Sequence, residues 1–395
     1  MPMRPGAAVR LAALFLVTAL ILPAAAAGAE PRAGRSGPEI TAPIGLLVEA
    51  SSGRVLFEKN ADELHPPASI AKIMTMLLIM EAIDSGEISL DDKVVVSAQA
   101  SKIGGSQAYL AEGEEMTVRD LLKAIAIHSA NDACVALAEY ITGDVEAFVD
   151  RMNDRARELG MDHTDFYTPH GLPPGPGQEP DMTTAREVVI MSVALIQKHP
   201  KILEFTGTAH DSLRDGKFRL DNTNKLVGRV AGVDGLKTGF TNTAGFGLAA
   251  TAKRKDLRMV SVVMGAKSNR DRASDSARLL SYGFSHLRHY TAAKQGLDIE
   301  EIGVSRGRTE RVMAQAGTDF KILLPRGDER QLVFEVKPLE DLRAPLKAGQ
   351  EVGTYVALLN GEVVGKIPLV ARDPVEKANI VILFFRLLLA LLHFS

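Results

Sequence analysis

Three short clusters hold side chains that could do chemistry together: Ser69–Ile70–Ala71–Lys72, Ser129–Ala130–Asn131 and Lys237–Thr238–Gly239. A serine hydroxyl becomes a nucleophile when a neighbouring base takes its proton, and an amine can be that base only when uncharged. Bringing a lysine from a pKa of about 10.4 to near 7 requires roughly 4 kcal/mol of bias against the charged form. Apolar burial and a second nearby cation both supply such bias. The Ser129 hydroxyl can relay a proton between Lys72 and a leaving amine, and the Asn131 carboxamide can bind a substrate amide. Lys237 and Thr238 lie beside Gly239, where a backbone can approach closely, a setting suited to a carboxylate-ended peptide. Each cluster alone is weak, since an S-x-x-K match arises about once by chance in a chain of this length. Order and setting raise the signal.

The setting of Ser69 comes from Pro66 and Pro67. Neither can sit inside a helix, so a helix must begin just after them and run over Ala68–Ala82. Ser69 then falls in the first turn, where unpaired N–H groups and the positive dipole end favour a developing oxyanion. Lys72, three residues on, shares its face. Apolar residues at nearly every position predict a helix buried on most sides. Ser129–Asn131 lies between predicted helices at 117–126 and 132–141, so Asn131 or Asp132 could equally be an N-cap. The Lys237 cluster does not match a phosphate loop, which requires Gly before the Lys where this chain has Leu236.

The wider pattern is strand, helices, strands, helix. Ile44–Val48 and Val55–Glu58 read as a hairpin, Val145–Leu159 as an amphipathic helix, and Thr183 or Thr184 as the cap of a helix reaching about Lys198. Gly245–Ala252 and Met259–Met264 read as strands, and Asp271–His289 as a closing helix. This implies an α/β layer fold whose sheet is assembled from both chain ends. From about Thr291 short strands broken by Gly, Pro and charge predict a small all-β domain. The expected division is 1–29 signal peptide, 30–290 catalytic domain, 291–373 β domain and 374–395 amphipathic helix.

At this point the chain resembles the penicillin-binding proteins and serine β-lactamases. The longer runs Pro66–Thr75, Gly105–Leu110, His128–Ala133, Pro169–Leu172 and Val233–Thr241 look like the low-molecular-mass D-alanyl-D-alanine carboxypeptidases. The likeness runs from about Pro43 to Val370; one departure is the loop Pro173–Pro180, unusually rich in Pro and Gly. The resemblance implies a serine β-lactamase/DD-peptidase-like fold, an antiparallel sheet flanked by helices with a helical subdomain. It implies removal of the terminal D-alanine from peptidoglycan stem peptides through an acyl-enzyme on Ser69, and covalent inhibition by β-lactams. Lys72 would be the base, Ser129 the proton shuttle and Asn131 a substrate contact. Lys237 and Thr238 would hold the terminal carboxylate, with Gly239 beside them. The N–H groups of Ser69 and Phe240 would form the oxyanion hole.

Rival readings fit less well. A class A β-lactamase needs a Glu-x-x-Leu-Asn segment after the second motif, and none follows Asn131. Gly104–Ala108 approaches the nucleophile elbow of a Ser/His/Asp hydrolase but lacks its last Gly; His65, His128 and His170 flank the site as conceivable bases. A non-catalytic wall-binding protein would tolerate loss of Ser69 or Lys72. No H-E-x-x-H or Cys/His cluster suggests a metal or other cofactor. Cys134 is the sole cysteine, so no internal disulfide forms. A net charge of -3 and a pI near 6.3 argue against a nucleic-acid partner.

The ends carry addresses. Arg4 and Arg10, the apolar run Leu11–Leu22 and the small residues Ala24–Ala29 follow the order of a cleaved signal peptide. In the tail, Asn379, Arg386 and His393 recur every seven positions along an apolar helix. Arg386 at mid-helix would cost roughly 2.5–3.5 kcal/mol at a bilayer centre. A helix lying in the interface keeps Arg386 and His393 at the headgroups. The expectation is an exported protein held peripherally on the extracytoplasmic face of the membrane.

Overall fold

The computed structural model describes residues 37–384 and 386, apart from Pro176. The expected signal peptide and the end of the tail lie outside the described residues. Five strands form one antiparallel sheet: β1 (Ile44–Glu49), β2 (Val55–Lys59), β3 (Val233–Thr241), β4 (Gly245–Arg254) and β5 (Leu257–Ala266). Their order is β2-β1-β5-β4-β3, so the first hairpin pairs with a strand more than two hundred residues later, Leu47 opposite Ser261. The sheet is thus assembled from distant parts of the chain, as the alternation of apolar segments implies.

Side chains alternate across β1 because successive residues of a strand point to opposite faces. Leu46 and Val48 join one apolar core, shared with helices α1 (Lys72–Asp84), α2 (Asn131–Thr142), α3 (Val145–Glu158) and α4 (Ala185–Lys198). Leu47 joins a second core against Leu279, Leu280 and Phe284 of helix α5 (Asn269–His286). The sheet is buried on both faces between helices. The Thr184 hydroxyl caps α4 by accepting the N–H of Glu187, as predicted.

Three helix boundaries differ from expectation. The helix after Pro67 opens as a 3-10 turn, Ala68–Ala71, before α1 begins at Lys72. The predicted helix at 117–126 is split into Val118–Lys123 and a π-helical turn, Ala124–His128, which ends on Ser129 in the left-handed region at φ 70°. Helix α5 starts earlier, because Ser268 caps it, and stops at His286. Leu287–Ala293 leaves the helix to become strand β6, pairing with β9 (Phe320–Pro325). Tertiary pairing overrides the local helical pattern there.

The β-rich segment that follows contributes β7 (Asp298–Gly303), β8 (Arg311–Ala316), β10 (Leu332–Pro338), β11 (Glu351–Leu359) and β12 (Glu362–Ala371). These form a second antiparallel sheet in the order β7-β8-β12-β11-β10. The tail departs from expectation at Arg386. Its guanidinium donates to the carbonyls of Gly307 and Arg308 and pairs with Glu310 at 2.9 Å, so it is held by the β domain and not offered to headgroups. Among the described residues no helix is long and apolar enough to cross a membrane.

Candidate active site

Ser69 sits in a turn squeezed from two sides. Ala68, directly before it, adopts φ 48°, a left-handed conformation that is strained for a residue with a Cβ. On one side lies β3: a Cβ at Gly239 would come within 2.6 Å of the Pro67 carbonyl oxygen. On the other lies the loop after Phe166. Gly171 has φ 76°, and a Cβ there would overlap the Ala68 carbonyl oxygen. Glycine at both positions lets two backbones press against the turn that presents the hydroxyl.

Lys72 points at that hydroxyl, with Nζ 2.8 Å from Ser69 Oγ. It also reaches Asn131 Oδ1 and the main-chain carbonyl of His170, both at 2.7 Å. The carbonyl and the amide oxygen can only accept, whereas a hydroxyl can donate or accept. Nζ here donates to all three oxygens, which suits the resting ammonium. Once the amine has lost a proton, two N–H groups keep the fixed acceptors and the lone pair can take the Ser69 proton. Burial pushes the Lys72 pKa down to about 8, against the opposing pull of Asp181 and Asp132. Roughly a tenth of the amine is then neutral at pH 7.

The wall that carries the His170 carbonyl is itself pinned. Thr75 Oγ donates to the Pro169 carbonyl at 2.6 Å. The buried Asp181 carboxylate accepts the N–H groups of Tyr167 and Thr168 and the Thr168 hydroxyl. The His170 ring is not a base here, because burial drives its pKa down to about 3 and Nδ1 accepts the N–H of Leu172. His65 Nε2 lies 2.8 Å from the Ala244 carbonyl, a structural contact. The His128 ring packs edge-on against Phe218 with centroids 5.7 Å apart, so the histidine group that reaches Lys72 is the His170 backbone carbonyl.

The second cluster is reorganised relative to expectation. Ala130, not Asn131 or Asp132, is the N-cap of α2. Both ends of the Asn131 carboxamide are committed, Oδ1 to Lys72 and Nδ2 to the Gly104 carbonyl at 2.7 Å. It positions the amine, and the second Nδ2 hydrogen is left for the expected substrate contact. The Asp132 carboxylate accepts the N–H groups of Ala108, Leu110 and Ala133, which ties the 104–110 loop to α2. Ser129 is brought to the same region at the end of the π turn and is 5% exposed, but it is not among the three hydrogen-bond partners of Lys72.

The third cluster lies on β3 as predicted. Lys237 is buried, its Nζ donating to the Thr238 carbonyl at 3.0 Å. Burial, then the charges of Lys72 and Arg272, hold its pKa well below the usual lysine range. The Thr238 hydroxyl donates to Thr223 at 2.8 Å. Phe240 is half-exposed and stacks on Phe246 with ring centroids 4.2 Å apart. Arg272, which no motif marks, reaches from α5 to donate to the carbonyls of Gly239 at 2.8 Å and Gly247 at 3.2 Å. It braces the β3–β4 ladder directly behind the cleft.

The arrangement is a hydroxyl paired with a desolvated amine, with a second buried amine on the neighbouring strand. Comparison with known proteins agrees with it. Residues 31–268 match the family model described as D-alanyl-D-alanine carboxypeptidase, and residues 288–377 match that of the penicillin-binding protein 5 C-terminal domain. The chain is 39% identical to the D-alanyl-D-alanine carboxypeptidase DacF of Bacillus subtilis over 94% of this chain and 96% of that one. Penicillin-binding protein 5 from Haemophilus influenzae is similar in structure, with a TM-score of 0.69, 31% identity, and coverage of 87% of this chain and 100% of that one. Penicillin-binding protein D2 from Listeria monocytogenes, in its ampicillin-bound form, aligns at TM-score 0.58 and 33% identity over 63% of this chain and 100% of its own. With both halves of the described structure accounted for by one lineage, the chain belongs to the D-alanyl-D-alanine carboxypeptidase family.

Proposed function

We propose that this enzyme removes the terminal D-alanine from peptidoglycan stem peptides by way of an ester on Ser69. The observation that carries the assignment is Lys72 Nζ at 2.8 Å from Ser69 Oγ inside a buried cage of three oxygens. Lys72 takes the hydroxyl proton as Oγ attacks the carbonyl of the penultimate D-alanine. The N–H groups of Ser69 and Phe240 receive the oxyanion. The C–N bond then breaks, and the proton passes through the Ser129 hydroxyl to the departing amine. Water, deprotonated by the same amine, hydrolyses the ester and restores Ser69. Asn131 acts by holding Lys72 in place. A β-lactam enters by the same attack and leaves the enzyme acylated. Mass spectrometry of the peptides from benzylpenicillin-treated protein tests this: an adduct on any residue other than Ser69, or none, overturns the assignment.

Lys237 and Thr238 would hold the terminal carboxylate. Burial disfavours charge on Lys237 in the free enzyme, and an arriving carboxylate favours it. Binding should therefore raise the proton affinity of Lys237 and draw a proton from solution at any pH where part of the free amine is neutral. Calorimetry of a D-Ala-D-Ala peptide against Ser69→Ala protein, in buffers of different ionisation heat, reads that uptake directly. Binding with no net proton transfer would count against Lys237 as the carboxylate anchor.

Gly171 offers a test of positioning. Alanine there must displace the Ala68 carbonyl and accept φ 76°. A shift of about 1 Å at the nucleophile costs on the order of 100-fold in rate. We expect the acylation rate by benzylpenicillin to fall by about that factor in Gly171→Ala. A rate within twofold of the parent would refute the role.

We also propose export and peripheral membrane attachment. The support is the order of charged, apolar and small residues before Glu30, together with Ile380, Val381 and Phe384, which leave large apolar side chains exposed at the start of the tail. The β domain would then lift the cleft from the membrane toward the wall. Fractionating cells that express the chain with and without residues 379–395 checks the attachment; equal membrane association of both forms would exclude the tail as anchor.

A further inference from the structure

We propose that a second site, remote in the fold from Ser69, binds a phosphate-bearing ligand at the junction between the catalytic domain and the β domain. A cavity of about 490 Å³ opens there, within the size range of small-molecule sites. Its walls come from separate parts of the chain: the turn between β4 and β5, the end of α5, the start of β6 and the end of β9. Three of these bring cations, namely Arg254 and Lys255 from the turn, Arg288 from β6 and Arg326 from beyond β9.

The local acids do not cancel this charge. Asp256, the one carboxylate in the wall, is paired with Lys321 at 3.0 Å. Glu329 is paired with Arg288 at 2.8 Å. Arg254, Lys255 and Arg326 make no ion pair with any described residue. Arg254 instead lies over the Phe284 ring, 4.4 Å from its centroid, with Nε donating to the Ala231 carbonyl. Arg326 covers the closing carbonyls of α5, through its N–H to His286 at 2.8 Å and its guanidinium to Phe284 at 3.4 Å. That contact masks the negative end of the helix, which would otherwise repel an anion.

Two nitrogens of the wall residues have no hydrogen-bond partner. Arg288 Nε and His289 Nδ1 are both shielded from solvent without a hydrogen-bond partner. Buried polar groups are nearly always paired, so these two wall side chains carry unused hydrogen-bonding capacity. Guanidinium groups arriving from several segments suit a multiply charged tetrahedral oxyanion better than a single carboxylate, which one guanidinium fork satisfies. The volume leaves room for the body that carries the phosphate. Since the cations belong to both domains, a bound phosphate would tie the β4–β5 turn to the β6–β9 ribbon.

The test is calorimetric titration of the full chain with inorganic phosphate, against chloride at matched ionic strength. Arg254→Gln and Arg326→Gln provide independent variants, the second at an exposed position whose loss leaves the core untouched. Saturable phosphate binding is expected, weakened about tenfold by each change, the size of one lost charge-assisted hydrogen bond. Acylation by benzylpenicillin should stay as in the parent. No phosphate binding beyond the chloride control, or undiminished binding in both variants, overturns the proposal. Vesicles of phosphatidylglycerol and phosphatidylcholine separate the sources. If both variants lose affinity for the anionic vesicles, the phosphate is a lipid headgroup. If vesicle affinity is unchanged while phosphate binding is lost, it is a soluble phosphate ester.

Discussion

Ser69→Ala should lower the rate of D-alanine release by about 10⁶-fold, the loss seen when the nucleophile of a covalent hydrolase is deleted. That corresponds to about 8 kcal/mol of transition-state stabilisation. The step lost is covalent, and no described neighbour can replace it. Cys134 is buried, its thiol is pushed up to about 11 by burial, and its Sγ donates to the Ala130 carbonyl. Ser106 is turned away, with its hydroxyl donating to the His128 carbonyl at 2.8 Å. The fold should survive, because the Cβ of alanine keeps the turn and Lys72 retains two acceptors. Release of D-alanine from a stem pentapeptide, followed by mass spectrometry, measures the effect. Residual turnover above about one hundredth of the parent would mean that the hydroxyl is not the nucleophile.

Lys72→Met should reduce acylation by roughly 10⁴-fold, the upper range for loss of a positioned base, while changing stability little. Two opposing effects set the second half of that expectation. Burying the lysine as a cation, at a pKa of about 8 instead of 10.5, costs roughly 3 kcal/mol at neutral pH. Methionine removes that cost but leaves Asn131 Oδ1 and the His170 carbonyl without their donor, at about 1–3 kcal/mol each. The terms are of similar size and opposite sign. Activity should therefore collapse without unfolding, as checked by thermal melting beside acylation kinetics.

The same amine dictates a pH profile. The free base is the active form, so kcat/KM of the parent should climb as pH rises through about 8. Stability moves in the same direction. Between about pH 8 and 10.5 the unfolded chain holds the Lys72 proton while the folded chain has released it, so raising the pH favours the fold. Lys72→Met should lack this contribution. A parent profile flat from pH 7 to 9 would show that neither the burial nor the base role is as described.

The parts of the fold legible beforehand were those written in local pattern. The short apolar runs of β1, β4 and β5, the proline stop before the Ser69 turn and the Thr184 cap all act over a few residues. The misread boundaries share one cause. Leu287–Ala293 has helical company on its N-terminal side and a strand partner at 320–325, and only the folded chain brings that partner near. The π turn at Ala124–His128, which ends on Ser129 in the left-handed region, is likewise not encoded by local propensity.

The sequence by itself determined the reacting groups and their nearest geometry: a hydroxyl and an amine three positions apart at a proline-marked helix start, and a lysine, threonine and glycine on a strand. Spacing within one turn or one strand is a local property and needs no partner to define it. The tertiary structure decided what makes those groups reactive. The two fixed acceptors of Lys72 lie 59 and 98 residues away along the chain, and one is a backbone carbonyl, which has no residue-type signature. The depressed pKa, the brace from Arg272 and the cationic cavity at the domain junction all arise from desolvation and charge supplied by distant segments. Such fields exist only once those segments pack together.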